Sequence, residues 1–136
     1  MILYSWRDVR TDIRKLLKQI DSRVDVIIGL SRGGLIPGIM LSHEMGVPFI
    51  PVIWQTRDGE LRQKEILEKY NDKYTLIIDD LVDTGTTMNE IKEVAPKCKF
   101  GVLINKRKEI DIDFCSRTLY NNKQWIVFPW EKKIED

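Results

Sequence analysis

The stretch from Thr75 to Met88 limits what this chain can fold into more than any other. An apolar run of strand length, Tyr74 to Ile78, passes without a break into two adjacent carboxylates, Asp79 and Asp80. A loop follows, and a helix start is marked by Thr84, Gly85, Thr86 and Thr87. A strand with no polar alternation suits burial on both faces, as in a mainly parallel sheet. Strand, loop and helix in that order form the unit of an open α/β sheet, where ligands bind at the carboxyl ends of the strands.

Each part of the stretch has a chemical use. Small residues at a helix start leave backbone N–H groups free, and the helix dipole favours an anion there. Gly85 lets the backbone approach such an anion closely, and the threonine hydroxyls add donors. Two neighbouring carboxylates repel each other and raise each other's pKa, which ribose hydroxyls or a divalent cation would offset. Taken singly, Asp79-Asp80 reads as a solvated acidic pair and Thr84 to Thr87 as a capped turn. Their order behind a buried strand points to phosphate, sugar diol and metal together. The loop is not a Walker A motif, because the Gly-Lys-Ser/Thr ending is missing.

The rest of the chain alternates in the same rhythm. Short apolar runs at Val24 to Leu30, Val47 to Trp54 and Phe100 to Ile104 supply further strands. Trp6, Val9, Ile13, Leu16, Leu17 and Ile20 recur at helical spacing behind Ser5, a suitable N-cap. Leu35 to Met45 reads as a helix, with Pro37 in its first turn and Gly46 to end it. Thr87 to Val94 reads as another, closed near Pro96. This order predicts a doubly wound α/β fold: a mainly parallel central sheet flanked by helices, in one domain spanning residues 1–136. Thr56 to Asp72 is dense in charge and reads as a solvated loop and helix, in a position that also suits a mobile lid. From Ser116 onward come short strand-like pieces with the aromatics Trp125, Phe128 and Trp130.

Composition narrows the function classes. Twenty-two basic residues against 21 acidic ones leave a formal net charge of +1, so a bulk electrostatic grip on nucleic acid has no support. Any phosphate must be held locally. No apolar run approaches the ~20 residues of a membrane helix, and Met1 to Arg10 lacks the apolar core of a signal peptide. Cys98 and Cys115 stand apart from each other and from the single histidine, His43, so they read as two thiols in a reducing cytoplasm.

Three segments resemble a known family. Ile77 to Thr87 resembles the phosphoribosyl-pyrophosphate (PRPP) signature of type I phosphoribosyltransferases. Leu30 to Gly38 is similar to the pyrophosphate loop of the bacterial xanthine-guanine branch, and Gln124 to Glu131 to its base-binding hood. The motifs fall in the same order and at similar spacing, so the likeness covers nearly the whole chain. It implies the type I phosphoribosyltransferase fold with a small C-terminal hood.

The resemblance also implies roles. Asp79 and Asp80 would hold the ribose hydroxyls of PRPP, directly or through Mg2+. Asp83 would serve as the catalytic group near the purine imidazole ring. Asp83, Thr84, Gly85, Thr86 and Thr87 would wrap the 5′-phosphate. Ser31, Arg32 and Gly33 would bind pyrophosphate, with a cis peptide bond between Ser31 and Arg32. Lys106 would donate to the six-oxo group of the purine, Trp125 would stack on the base, and the Ile126 backbone would read its two-position edge. Glu131 aligns with an acid of the hood without a defined role. The implied activity is transfer of the phosphoribosyl group of PRPP to guanine, xanthine or hypoxanthine, in a homo-oligomer (dimer or tetramer) with no membrane or nucleic-acid partner. Two alternatives stay open: a pyrimidine phosphoribosyltransferase, which Lys106 with Trp125 argues against, and a PRPP- or nucleotide-sensing regulator on the same fold.

Two departures from the family stand out. The segment Trp54 to Glu60 replaces a longer mobile loop, with Arg57 as a pyrophosphate contact for it, and Arg107 follows Lys106 where the relative has proline.

Overall fold

The computed structural model describes residues 1–54 and 62–131. The elements, in chain order, are β1 (Ile2–Leu3), α1 (Trp6–Gln19), β2 (Val26–Ser31), α2 (Leu35–Met45), β3 (Phe49–Ile53), α3 (Lys64–Lys69), β4 (Thr75–Val82), α4 (Thr86–Val94), β5 (Lys99–Asn105), β6 (Phe114–Thr118) and β7 (Ile126–Val127). Five strands form one sheet in the order β3-β2-β4-β5-β6, and every pair in it is parallel. The expected α/β fold is the observed one.

The apolar strands divide their side chains between two cores, one on each face. In β4, Leu76 and Ile78 pack on one face with α1 residues Val9, Ile13 and Leu16, while Ile77 packs on the other with Met88 and Ile91 of α4. β2 splits the same way, Ile27 to the first face and Ile28 with Leu30 to the second. Period-two alternation thus serves two buried faces, which is why these strands read as unbroken apolar runs.

Local chemistry sets the helix ends. Ser5 and Asp8 form a reciprocal capping box at the start of α1, the Ser5 hydroxyl accepting from the Asp8 N–H and the Asp8 carboxylate from the Ser5 N–H. Gly46, at φ +65°, closes α2 in the left-handed region. Trp6, placed on the apolar stripe of α1 by its spacing, is 46% exposed and meets Trp130 edge-on instead of joining the core.

Three features differ from the sequence reading. β4 continues four residues past Ile78, because β5 keeps pairing with it: Asp79 lies opposite Val102, Leu81 opposite Ile104 and Val82 opposite Asn105. β6 carries no apolar run, and only Phe114 of it is buried at the sheet edge. The hood is not purely C-terminal: β1 pairs parallel with β7, Ile2 opposite Ile126 and Leu3 opposite Val127. In the charged segment, Leu67 of α3 is fully buried, and Arg62 bridges to Trp54. Arg57 lies outside the described residues. No described helix is long and apolar enough to cross a membrane.

Candidate active site

The strand order reverses direction between β2 and β4. From β2 the chain moves outward through α2 to β3; from β4 it moves the other way to β5. Such a switch point opens a crevice beyond the carboxyl ends of the two strands. The loop after β2 brings Arg32 and Gly33 to one side, and the end of β4 brings Asp80 and Asp83 to the other. All four line a cavity of about 550 Å³. The Ser31–Arg32 peptide bond is cis. Gly33 is packed so closely that a β-carbon there would meet the Asp80 carboxylate.

A second, smaller hollow of about 90 Å³ lies along the turn into α4, lined by Asp79, Asp83, Thr84, Gly85 and Thr87. Gly85 caps α4 at φ +91°, a conformation that glycine adopts without a steric penalty. No side chain of that residue occupies the helix start, where Thr84 and Thr87 stand beside it; Leu81, Val82 and Met88 complete the lining. The Thr84 hydroxyl accepts from the Thr86 N–H at 3.3 Å and lies 3.1 Å from the Thr86 hydroxyl.

The opposite wall of the larger cavity is built by the loop after β5 and the hood. Lys106 is buried; its ammonium donates to the Gln124 carbonyl at 2.6 Å and stands 3.7 Å from the Asp83 carboxylate. Trp125 is 59% exposed at the rim, and Ile126 is buried behind it. In the β1·β7 ladder, the Ile2 N–H donates to the Trp125 carbonyl at 2.8 Å and the Tyr4 N–H to the Val127 carbonyl at 2.9 Å. The ladder therefore passes over the Ile126 carbonyl. Glu131 closes the rim and accepts from the Phe128 N–H at 3.3 Å.

Burial and mutual repulsion set the electrostatics. Desolvation, followed by the charge of Asp80, pushes the Asp79 carboxyl well above the usual carboxylate range. Desolvation also raises Asp80, with the Glu131 charge adding to it. The Asp80 N–H donates to the Asp79 carboxylate at 2.9 Å, which fixes the pair, and among the described residues no Lys or Arg forms an ion pair with either carboxylate. Among the described residues no group of three or more metal-ligating side chains comes together.

Most of the predicted residues therefore meet at one crevice. Ser31 lines neither cavity; its hydroxyl accepts weakly from the Trp54 N–H at 3.4 Å, tying the loop to β3. Thr86 is likewise turned to Thr84. The sequence reading gave no role to Leu81, Phe128 or Trp130, yet all three line the larger cavity. Phe128 and Trp130 stack in parallel at 5.0 Å, and Tyr4 meets Phe128 edge-on at 5.0 Å. The signal was present as three aromatics within the run Trp125-Ile126-Val127-Phe128-Pro129-Trp130, but which of them would face a ligand depended on β1.

Comparison with known proteins agrees with this fold. The family model of the phosphoribosyl transferase domain matches residues 2–136. The xanthine-guanine phosphoribosyltransferase of Idiomarina loihiensis is 30% identical over 96% of this chain and 86% of its own. That of Desulfotalea psychrophila is 28% identical over 96% and 86%. A solved purine phosphoribosyltransferase from Pyrococcus horikoshii superposes with a TM-score of 0.77 at 29% identity, covering 99% of this chain and 97% of that one. The chain belongs to the phosphoribosyltransferase family. Within it, the relatives just described carry out purine chemistry by name.

Proposed function

We propose that the chain transfers the phosphoribosyl group of PRPP to a 6-oxopurine and releases pyrophosphate. One observation carries this reading above the others: Lys106, Trp125 and Ile126 line the same cavity as Arg32, Gly33 and Asp80. A base held by the first three would present its imidazole edge toward a ribose held by the last.

Lys106 has three donors and no acceptor. One serves Gln124 and another faces Asp83, so the third is available to a purine six-oxo oxygen. Trp125 offers an exposed face for stacking, a contact worth roughly 1–3 kcal/mol in comparable base–aromatic pairs. The Ile126 carbonyl, outside the ladder, suits the edge at the purine two-position. Asp83 sits where the two cavities meet and would accept from, or take a proton from, the base nitrogen as it attacks. Thr84, Gly85 and Thr87 would receive the 5′-phosphate, with Thr86 supporting Thr84. Arg32 would take the departing pyrophosphate, its planar guanidinium matching phosphate oxygens.

Asp79 and Asp80 fit Mg2+ by their chemistry: two adjoining carboxyls, raised by burial, with no ion-pair partner among the described residues. Two carboxylates with substrate oxygens and water suit Mg2+ better than a closed protein cage does. When bound, the ion neutralises charge on pyrophosphate. Nucleotide synthesis from PRPP and a panel of guanine, xanthine, hypoxanthine, adenine, uracil and orotate tests the reading. Product from oxopurines alone supports it; no product from any base, with nucleotide or RNA binding retained, would overturn it in favour of a sensor.

A further inference from the structure

The turn after β5 grips the loop proposed to hold the 5′-phosphate from outside. Arg107 Nε donates to the Asp83 carbonyl at 3.0 Å. Ile110 presses on Gly85, so that a β-carbon at position 85 would stand 2.8 Å from Ile110 Cδ1. The Lys92 ammonium of α4 donates to the Asp111 carbonyl. Three contacts from residues 107–111 thus fall on successive parts of the loop and its helix. Arg107 lines neither cavity.

The turn itself is well fastened. Asn105, which is buried, accepts from the Arg107 N–H at 2.9 Å and donates to the Ile110 carbonyl at 3.4 Å. The Ile110 N–H closes the turn on the Arg107 carbonyl at 3.2 Å. Arg107 is therefore held at its main chain while its side chain reaches across to Asp83.

Which way the 83–84 peptide faces matters for an anion. A trans peptide is planar, so its C=O and N–H point in opposite directions. With the Asp83 carbonyl turned to Arg107, the Thr84 N–H is turned away from Arg107. A flipped peptide would present a carbonyl oxygen where the N–H had been, and that dipole repels phosphate.

We propose that Arg107 is a positioning residue: with Asn105 and Ile110 it braces the phosphate loop in its anion-accepting conformation. This rests on the assignment of that loop to the 5′-phosphate.

The test compares wild type with Arg107→Met, Arg107→Lys and Ile110→Val, by steady-state kinetics and by calorimetric binding of guanosine 5′-monophosphate at low and high salt. Arg107→Met should raise the KM for PRPP and weaken the monophosphate by roughly five- to tenfold, the range of one lost hydrogen bond of ordinary strength, while the purine KM stays within about twofold. Ile110→Val, which removes Cδ1 and leaves Arg107 in place, should shift the same constants in the same direction by a smaller factor. Arg107→Lys should recover only part of the loss, and equally at both salt concentrations. Wild-type PRPP and monophosphate constants in folded Arg107→Met would overturn the brace. So would full recovery by Arg107→Lys confined to low salt, which would mean that the charge alone acts. A wild-type protein that binds the monophosphate but makes no nucleotide would instead sink the proposed function. In that case the binding arm still decides on the brace.

Discussion

A β-carbon added to Gly33 would stand 2.1 Å from Asp80 Oδ2, so the loop after β2 and the end of β4 are fitted to each other through the absence of a side chain. The clash falls on the carboxylate, the movable end of Asp80. Gly33→Ala should therefore fold, and its damage should appear in catalysis, because Asp80 must swing away from the place where ribose or Mg2+ is proposed to meet it. A loss of kcat/KM of about 10²-fold, with a melting temperature close to wild type, is the expected outcome; misplacement by about 1 Å near the chemistry costs that much. Unchanged turnover would show that Asp80 has no fixed place in the reaction.

Asp79→Asn should separate activity from stability. The side chain keeps its acceptor for the Asp80 N–H but loses its charge. Turnover should collapse. The ligand-free protein should gain about 1 kcal/mol at neutral pH, as functional sites often hold such reserves. The sign follows from the raised pKa: the folded wild type binds the Asp79 proton more tightly than the unfolded chain does. Wild-type stability from this group is thus highest below the unfolded value of ~3.9 and falls as pH rises through the folded value. The advantage of the variant should shrink on acidification. Urea titrations at several pH values would check it, and an advantage that grew in acid would contradict the argument.

Base choice should follow from Lys106. Adenine carries an exocyclic amine where an oxopurine carries an acceptor, and two donors facing each other leave both unsatisfied. Discrimination against adenine on the order of 10³ is expected, below the ~10⁴–10⁵ of a fully closed site. Lys106→Ala should lower oxopurine turnover more than it raises the KM for PRPP. Comparable turnover of adenine by the wild type would remove Lys106 from the base site.

The hood should depend on a residue far from it in sequence. Tyr4 donates its hydroxyl to Asp12, a fully buried carboxylate that is also ion-paired with Arg117 Nε at 2.8 Å. Tyr4 meets Phe128 edge-on and follows the strand that pairs with Ile126 and Val127. Tyr4→Phe keeps the ring but takes a partner from a buried charge, at a cost of about 1–3 kcal/mol. Urea denaturation should show that loss, and the KM for the purine should rise while the KM for PRPP holds.

Much of this protein was legible in the chain alone, because the signals are local. The β4 run, the turn from Asp83 to Thr87 and the capping residues Ser5 and Gly46 act through neighbours within a few positions, so their order gave the fold class and the Asp79-to-Thr87 side of the crevice, while Arg32, Gly33, Lys106, Trp125 and Ile126 followed from the resemblance to the family. Tertiary structure alone decided the rest. β1 has only two residues and no strand signal of its own; it exists because the Trp125 and Val127 carbonyls need donors. β6 is a strand because Gly101 to Asn105 offers it an edge. Asp12 of α1 is fully buried, where Tyr4 and Arg117, remote from each other in sequence, both reach its Oδ2. The meeting of Lys106 with Asp83 and the Gln124 carbonyl is likewise a matter of distance in space. Pairing energies between residues remote in sequence leave no periodic mark on it, so only the folded chain could bring them together.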